Sequence, residues 1–305
     1  MTKYILKRIG MMLITLFMIV LLTFILMHSV PGGPFTTEKQ VAPAVLKALE
    51  AKYHLDDPLW KQFVDYVKGL LTFELGPSFK FTGKTVNDFI ENGFPFSATL
   101  GLITLVFVLL TALPMGIVAA LRNGKWQDMV TMALATLGVT IPSFIIAPTL
   151  IYFFSYVLAW CPTYGVDKWQ GYILPVIALG GYSISFLARL MRSSLLEVMG
   201  QDYIRTARAK GISEVRVVLK HALRNALIPV ITVLGPTIAN LLTGSFVIEK
   251  IFAIPGMGSY FVNSVTQRDY TTIMGMTVFY AAFLIVMVFV VDIFYCLIDP
   301  RIKYD

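Results

Sequence analysis

The chain has 305 residues, of which 57% are hydrophobic and only 14% charged, against about 25% charged residues in typical soluble domains. The mean hydropathy of +0.74 points the same way, so an ordinary soluble fold, a disordered chain and a collagen-like repeat are excluded. The net charge of +7 does not require nucleic acid, because lysine and arginine collect on the cytoplasmic side of membrane proteins; we expect a lipid bilayer, and no nucleic acid, as partner.

Uncharged apolar runs of roughly the 20 residues that a membrane-crossing helix needs recur along the chain. They cover residues 9–30, 94–121, 129–160, 171–188, 225–248 and 271–291. Each is predicted to be a helix, because every backbone polar group must find a partner within lipid. The first run is too long for a signal-peptide core and no cleavage motif follows it, so we expect it to remain as an uncleaved span. The predicted fold class is an all-α membrane protein with six transmembrane helices.

The distribution of lysine and arginine predicts the orientation of these spans. Most basic residues fall at the N-terminus, in segments 122–125 and 189–224, and at the C-terminus, whereas the two short outer loops hold few. Because cytoplasmic loops carry the basic excess, we expect both termini inside.

Residues 31–93 are predicted to form a small helical insert outside the cell. Asp57 is expected to cap a helix whose first residue is Pro58, and Thr85 with Asp88 marks another helix start before Phe89. A shorter helix is expected earlier, where Val45, Leu49 and Tyr53 recur at helical spacing. The insert either connects the first two spans or docks an extracytoplasmic partner, and its composition favours neither.

The cytoplasmic segment 189–229 is the longest inner segment. A short helix is predicted over residues 202–210, ending at Gly211, and Ser213 is expected to cap a second helix that runs into the fifth span. Two stiff helices joined at one permissive glycine would suit a mechanical contact at the mouth of a bundle. The alternative is a basic amphipathic loop that rests on anionic lipid.

Catalytic motifs are absent from the sequence. It contains neither H-E-x-x-H nor G-x-S-x-G, and its two cysteines and three histidines lack the spacing of a metal site. Gly83-Lys84-Thr85 resembles the end of a phosphate-binding loop, but Ser78 stands where that loop requires glycine. We therefore expect no enzyme activity, metal or cofactor in this chain, and a separate ATPase if nucleotide powers its function.

Prolines and one acid interrupt the predicted spans. Such breaks are tolerated where neighbouring helices or a water-filled path satisfy the freed carbonyls, which favours a transporter, although packing kinks explain them nearly as well. The acid, Asp292, is expected to face the bundle or to lie near the inner headgroups. The prolines are Pro114, Pro142, Pro148, Pro175 and Pro236.

Residues 203–211 (YIRTARAKG), followed by 221–229 (HALRNALIP), resemble the cytoplasmic loop of peptide-class ABC importer permeases. The general importer loop has Glu-Ala-Ala where this chain has Arg205-Thr206-Ala207, and proline where it has Arg224; the arginine version is typical of the peptide/nickel branch. Segments 75–79, 244–249, 254–258, 268–270 and 299–302 are similar to that branch as well. The insert, with residues 51–55 (AKYHL), looks most like that of B-type permeases of oligopeptide importers.

The resemblance implies the type I ABC importer permease fold in a bacterial cell membrane. It also implies partners: a second homologous permease, two ABC ATPases that bind ATP and Mg, and an extracytoplasmic protein that delivers peptide. The coupling residues it implies are Tyr203, Ile204, Arg205, Thr206, Ala207, Arg208, Ala209, Lys210, Gly211 and Glu214. The outer loop or gate it implies comprises Glu249, Pro255, Gly256, Gly258, Arg268 and Asp269.

The predicted domains are the first span (1–30), the insert (31–93) and a permease core (94–305) that contains the coupling loop 189–229. A nickel, metal-chelate or opine permease remains the alternative within the family. A stand-alone secondary transporter would need intramembrane acids, for which only Asp292 and Glu249 qualify, and no inverted repeat is evident. An intramembrane enzyme is disfavoured because no nucleophile–base pair stands out.

Overall fold

The computed structural model describes residues 2–31, 33–35 and 43–298, and its regular elements are helices. The described chain divides into two compact units, one of residues 2–96 and 255–285, the other of residues 97–254 and 286–298. The insert thus belongs to the same unit as the first span and residues 255–285. The predicted domain boundaries stay a prediction, and the family-like ending at 299–302 lies outside the described residues.

The helices follow one another along the chain with short connections. They are α1 (Thr2–Ser29), α2 (Pro43–Lys52), α3 (Leu59–Leu71), α4 (Val86–Leu121), α5 (Trp126–Thr140), α6 (Ser143–Leu150), α7 (Ile173–Met199), α8 (Asp202–Ala209), α9 (Glu214–Arg216), α10 (Leu223–Ala226), α11 (Ile228–Leu242), α12 (Phe246–Ile251), α13 (Met257–Gln267) and α14 (Tyr270–Ile298). A π-helix over Ile151–Val157 follows α6, a 3₁₀ turn over Trp169–Tyr172 precedes α7, and a second π-helix over Val217–Ala222 joins α9 to α10.

In the first unit, α3 packs along α1 through aromatic rings. The ring centroid of Phe63 lies 6.2 Å from that of Phe17 and 5.2 Å from that of Phe24. Near the end of α1, the imidazole of His28 is 3.1 Å from the side-chain oxygen of Gln62. The apolar core of this unit comprises Val86, Phe89, Ile90, Met257 and Met276.

The helix starts predicted in the insert are partly right. Thr85 N–H donates to the Asp88 carboxylate (2.7 Å) and Asp88 N–H donates to the Thr85 hydroxyl (3.2 Å), a reciprocal cap. This cap opens α4 itself, so the start belongs to the second span rather than to a separate helix. The Asp57 cap is wrong by one residue: Pro58 occupies the N-cap, and the Asp57 side chain pairs with Lys61 at 2.9 Å. The early helix is confirmed as α2.

In the second unit, α7 is the central helix. Its Leu187, Ala188, Met191 and Leu195 are buried in a cluster with residues of α4 and of segment 204–230. Gly116 of α4 allows close approach to α7, because a Cβ there would lie 2.6 Å from the Ala188 carbonyl oxygen. Side chains of normal size at this crossing would force the two helices apart.

Five helical segments are long and apolar enough to cross a membrane: Ile5–Ser29, Val86–Leu121, Trp169–Met199, Ile228–Ile251 and Tyr270–Ile293. A sixth crossing exists if Trp126–Thr140 and Ser143–Val157, which are bent by 105° to each other, count as one broken span. The prediction of one continuous third helix is therefore wrong. Pro142 causes the break, because a residue before proline avoids the helical region and Ile141 is extended (φ −90°, ψ 117°).

The other spans follow the prediction more closely. The fourth run continues as helix to Met199, as expected, while the fifth is interrupted between α11 and α12. Asp292 is half-buried within α14. The orientation with both termini inside stays a prediction.

Candidate coupling site

The short helix α8 is anchored by one face. Ile204 and Ala207, three residues apart and therefore on the same side of the helix, are buried in the cluster around α7. The predicted coupling residues therefore divide into two that hold α8 in place and others that are presented outward. The exposed ones are Tyr203, Arg205, Thr206, Arg208, Ala209 and Lys210.

Gly211 reverses the chain after α8, as the sequence predicted. Its φ of +75° lies in the left-handed region that glycine adopts at little cost, and its N–H donates to the Arg208 carbonyl (2.9 Å). The space around its Cα is open, since a Cβ at this position would have no neighbouring atom within 4 Å. Glycine is therefore required here by backbone conformation rather than by crowding.

An ion pair joins the two sides of this turn. Arg208 Nε donates to Glu214 Oε2 (3.1 Å) and Arg208 Nη2 donates to Glu214 Oε1 (2.6 Å). The guanidinium lowers the pKa of the Glu214 carboxyl, and the carboxylate raises the pKa of Arg208. Both side chains are exposed, so the pair contributes at most about 1 kcal/mol to stability. Its forked geometry instead fixes the angle between α8 and α9.

The helix after the turn begins at Ser213, but the predicted side-chain cap is wrong, because Ser213 makes no capping hydrogen bond. Val217, Val218 and Ala222 are buried, which holds the π-helical segment against the core. Asn225 Nδ2 donates to the Tyr203 hydroxyl (2.8 Å) and so joins this part of the loop back to α8.

Two apolar residues of the loop point outward, and sequence reasoning missed them. Val215 is 69% exposed and Leu219 63% exposed, at the i, i+4 spacing that places them on one face. Their spacing in an otherwise basic segment was the available signal. An adjoining cavity of about 580 Å³ is lined by both, by Arg208 and Glu214, and by the inner ends of α4 and α7. Exposed apolar residues rimmed by charge are typical of a protein-binding surface.

The inner end of α7, which leads into α8, is fixed by polar contacts that sequence reasoning also missed. Arg192 donates to both carboxylate oxygens of the buried Asp128 (2.6 and 2.7 Å) and to Asn123 (2.9 Å). The Ser194 hydroxyl donates to the Ala226 carbonyl (2.9 Å), which joins α7 to α10. A force applied to α8 would therefore reach α7 and the helices beyond α10 without being absorbed by loose contacts.

The predicted outer residues are placed in two settings. Glu249 belongs to the second unit and its side chain is buried beside Gly244. The other five belong to the first unit, where Pro255 and Arg268 are exposed, and Gly256, Gly258 and Asp269 are buried. In this conformation only the exposed side chains could contact a partner directly.

Asp269 holds the insert against the start of α14. Its carboxylate accepts from the Ser78 hydroxyl (2.5 Å), the Phe79 N–H (3.1 Å), the Thr272 N–H (3.3 Å) and the Thr272 hydroxyl (2.8 Å). A buried carboxylate requires such partners, since desolvation otherwise costs several kcal/mol. The role that the geometry gives Asp269 is to connect two segments.

The residues that resembled a phosphate-binding loop have another use. Thr85 caps α4, and Gly83 and Lys84 form the turn before it. Among the residues that the structure describes, no group of three or more His, Cys, Asp and Glu side chains could hold a metal ion.

Family models match both parts of the chain. Residues 112–304 match "Binding-protein-dependent transport system inner membrane component", and residues 1–101 match the corresponding N-terminal model. The chain belongs to this family. It is a multi-pass membrane component of a transport system, rather than a catalytic enzyme.

Relatives cover the whole length of this transport component. It is 52% identical over 303 residues to the dipeptide transport system permease protein DppB of Bacillus subtilis (strain 168), covering 99% of this chain and 98% of the relative. It is 44% identical over 310 residues to the oligopeptide transport system permease protein OppB of Haemophilus influenzae, covering 100% of both. The corresponding OppB of Escherichia coli (strain K12) is 42% identical over 310 residues, again covering 100% of both.

The fold resembles that of a solved ABC importer. Two inward-facing structures of the methionine ABC transporter MetNI align with TM-scores of 0.59 and 0.53, at 17% and 18% identity. They cover 69% and 70% of this chain and 96% of theirs. At this identity the likeness concerns the fold alone, which is that of type I ABC importer permeases.

Proposed function

We propose that this chain is one of two homologous permease subunits that enclose a path for short peptides across a bacterial cell membrane. Two ATPase subunits bind ATP and Mg on the cytoplasmic side, and an extracytoplasmic binding protein delivers the peptide. The names of the relatives, which transport dipeptides and oligopeptides, support the substrate class. This chain itself binds no nucleotide and performs no chemistry.

The observation that carries the proposal is the two-sided construction of segment 203–220. Ile204 and Ala207 belong to the core of the second unit, while Arg205, Val215 and Leu219 are presented outward. An ATPase that grips the outward side can therefore displace the core through the buried side. The Arg208–Glu214 pair keeps the two helices at one angle during that displacement.

The movement would pass along two routes. One runs directly from α8 into α7, whose inner end is fixed by the Asp128–Arg192 pair. The other runs through the π-helix and α10 into α11, which begins two residues after Ala226. Small displacements of packed helices are a known means of switching a transporter between two states. Closure of the ATPases would thus alternate the access of the path.

Transport assays in proteoliposomes test the function. The whole complex, with its binding protein outside and ATP inside, should accumulate a labelled dipeptide and show no accumulation of nickel. Uptake should disappear when a hydrolysis-deficient ATPase replaces the normal one. ATP-dependent nickel uptake that peptides do not compete with would favour the metal permease instead. Peptide uptake by this chain alone, driven by an ion gradient, would favour a secondary transporter.

A further inference from the structure

An apolar pocket of about 560 Å³ lies within the first unit, between α1, α3, the start of α4 and α14. Leu16 and Val20 of α1, Val67 and Leu70 of α3 and Val278 of α14 form much of its wall. The transport function assigns nothing to this pocket. Its volume is within the range of about 300–1,000 Å³ that is usual for small-molecule sites.

The position of the pocket along two apolar helices indicates what surrounds it. Leu16 and Val20 lie well inside the candidate span Ile5–Ser29, and Val278 lies inside Tyr270–Ile293. The neighbouring Leu13 and Phe17, which also line the pocket, are 63% and 50% exposed. A pocket that opens at this depth faces hydrocarbon, and water does not fill apolar cavities of this kind. The occupant that the surroundings supply is a lipid acyl chain.

The polar lining of the pocket is confined to α4 and is negatively charged. Asn87 and Glu91 lie one turn apart there. The Asn87 amide is already engaged, since it accepts from Leu75 N–H (3.0 Å) and donates to the Phe73 carbonyl (2.7 Å). The exposed Glu91 carboxylate has no side-chain partner among the described residues. A carboxylate attracts a cationic headgroup and repels an anionic one.

We propose that this pocket binds one acyl chain of a phospholipid whose headgroup carries a primary amine, such as phosphatidylethanolamine, with the ammonium on Glu91. The acyl chain lies between α1 and α14, and the α3 helix covers it from the side of Val67 and Leu70. The lipid would complete the packing of α1 against the rest of the unit. The site goes beyond the transport function and requires no assumption about the transported substrate.

Photo-crosslinking tests this site in the assembled complex. Phosphatidylethanolamine with a diazirine near the end of one acyl chain is reconstituted with the complex, and phosphatidylglycerol with the same chain is used in parallel. We expect ethanolamine lipid to label peptides around Leu16 and Val278 more strongly than glycerol lipid does. Leu16→Trp, which fills the pocket, should abolish this labelling. Ile14→Trp, two residues away and outside the pocket wall, should leave it unchanged.

A second pair of variants separates the two parts of the proposal. Leu70→Trp fills the pocket from α3 and should act like Leu16→Trp, so it decides the result if the α1 variant fails to assemble. Glu91→Gln should retain acyl labelling but remove the preference for ethanolamine lipid. Unchanged labelling in a pocket-filling variant that assembles would overturn the lipid site. So would crosslinks from these positions to a helix of the second permease, and equal labelling by both lipids would overturn the headgroup assignment.

Discussion

Arg208, in the last turn of α8, holds Glu214, the first residue of α9, through two hydrogen bonds of 3.1 and 2.6 Å. The chain turns back at Gly211 between them, so the pair closes the turn. Arg205, one turn earlier, is 73% exposed and has only a 3.5 Å contact with the still more exposed Asp202. Arg208 therefore maintains the shape of the loop, whereas Arg205 is available to a neighbouring subunit.

Charge reversal at Arg208 should uncouple ATP hydrolysis from uptake. In the Arg208→Glu variant the two carboxylates repel each other, and the angle between α8 and α9 is no longer fixed. We expect the complex to assemble, with a loss of stability within about 1 kcal/mol, but to hydrolyse more ATP per peptide transported. The ratio of the two rates in proteoliposomes measures this effect.

The matched control is the charge-swapped double variant Arg208→Glu/Glu214→Arg. It restores the pair with reversed partners and should recover most of the coupling. If the double variant remains as uncoupled as the single one, the arginine acts through the ATPase and not through Glu214.

Substitutions at Gly211 should be ranked by their tolerance of the left-handed backbone and not by their size. Gly211→Asn should be nearly neutral, because asparagine adopts this conformation readily, whereas Gly211→Val should cost about 1–2 kcal/mol. Gly211→Trp should also uncouple transport, since its ring would occupy the outward surface. Thermal unfolding of the complex and peptide uptake are the measurements. Gly200→Ala, at a glycine with ordinary φ of −82°, is the control. Equal unfolding midpoints for the Asn and Val variants would contradict this account.

Removal of the Asp269 carboxylate should loosen the insert. The Asp269→Ala variant leaves the Ser78 and Thr272 hydroxyls without their acceptor, at a cost of about 2–3 kcal/mol. Arg268→Ala, at the adjacent exposed position, should change stability by less than about 0.5 kcal/mol. Thermal unfolding and protease cleavage within residues 72–85 would reveal the difference. Identical behaviour of the two variants would mean that the buried network contributes nothing.

The Asp128–Arg192 pair should require arginine specifically. Lysine at position 192 can reach one carboxylate oxygen but cannot reproduce the fork that binds both oxygens and Asn123. We expect Arg192→Lys to lower stability by about 1–3 kcal/mol and Arg192→Ala to lower it further, because Asp128 would then be a buried, unpaired charge. Asp128→Asn combined with Arg192→Leu, which removes both charges, should be less harmful than Arg192→Ala alone. The unfolding midpoints test this order.

The sequence was informative wherever the signal is local. Apolar runs located the spans, and the Gly211 stop after a short amphipathic segment located α8, because helix length and termination depend on neighbouring residues. The capping box at Thr85 and Asp88 was likewise visible at its spacing of three. The coupling loop could thus be outlined from the residues and its family resemblance.

Features that depend on distant residues or on competing tendencies were not predictable. The Ser78–Asp269 bond joins residues 191 positions apart, and no local pattern announces it. The break at Ile141 and Pro142 lies within an uninterrupted apolar run, where proline in a membrane helix can give anything from a slight kink to a full break. The Arg208–Glu214 pair forms only because Gly211 turns the chain back, so it required the conformation of the turn as well as the charges.

A single cysteine at position 219 tests the central claim most directly, in a background with Cys161 and Cys296, the two natural cysteines, changed to serine. In the assembled complex, a short thiol crosslinker should join Leu219→Cys to an ATPase subunit, and a membrane-impermeant thiol reagent added outside intact cells should leave this cysteine unlabelled. Labelling from outside, or an active complex in which position 219 never crosslinks to an ATPase, would contradict the assignment of segment 203–220 as the coupling element.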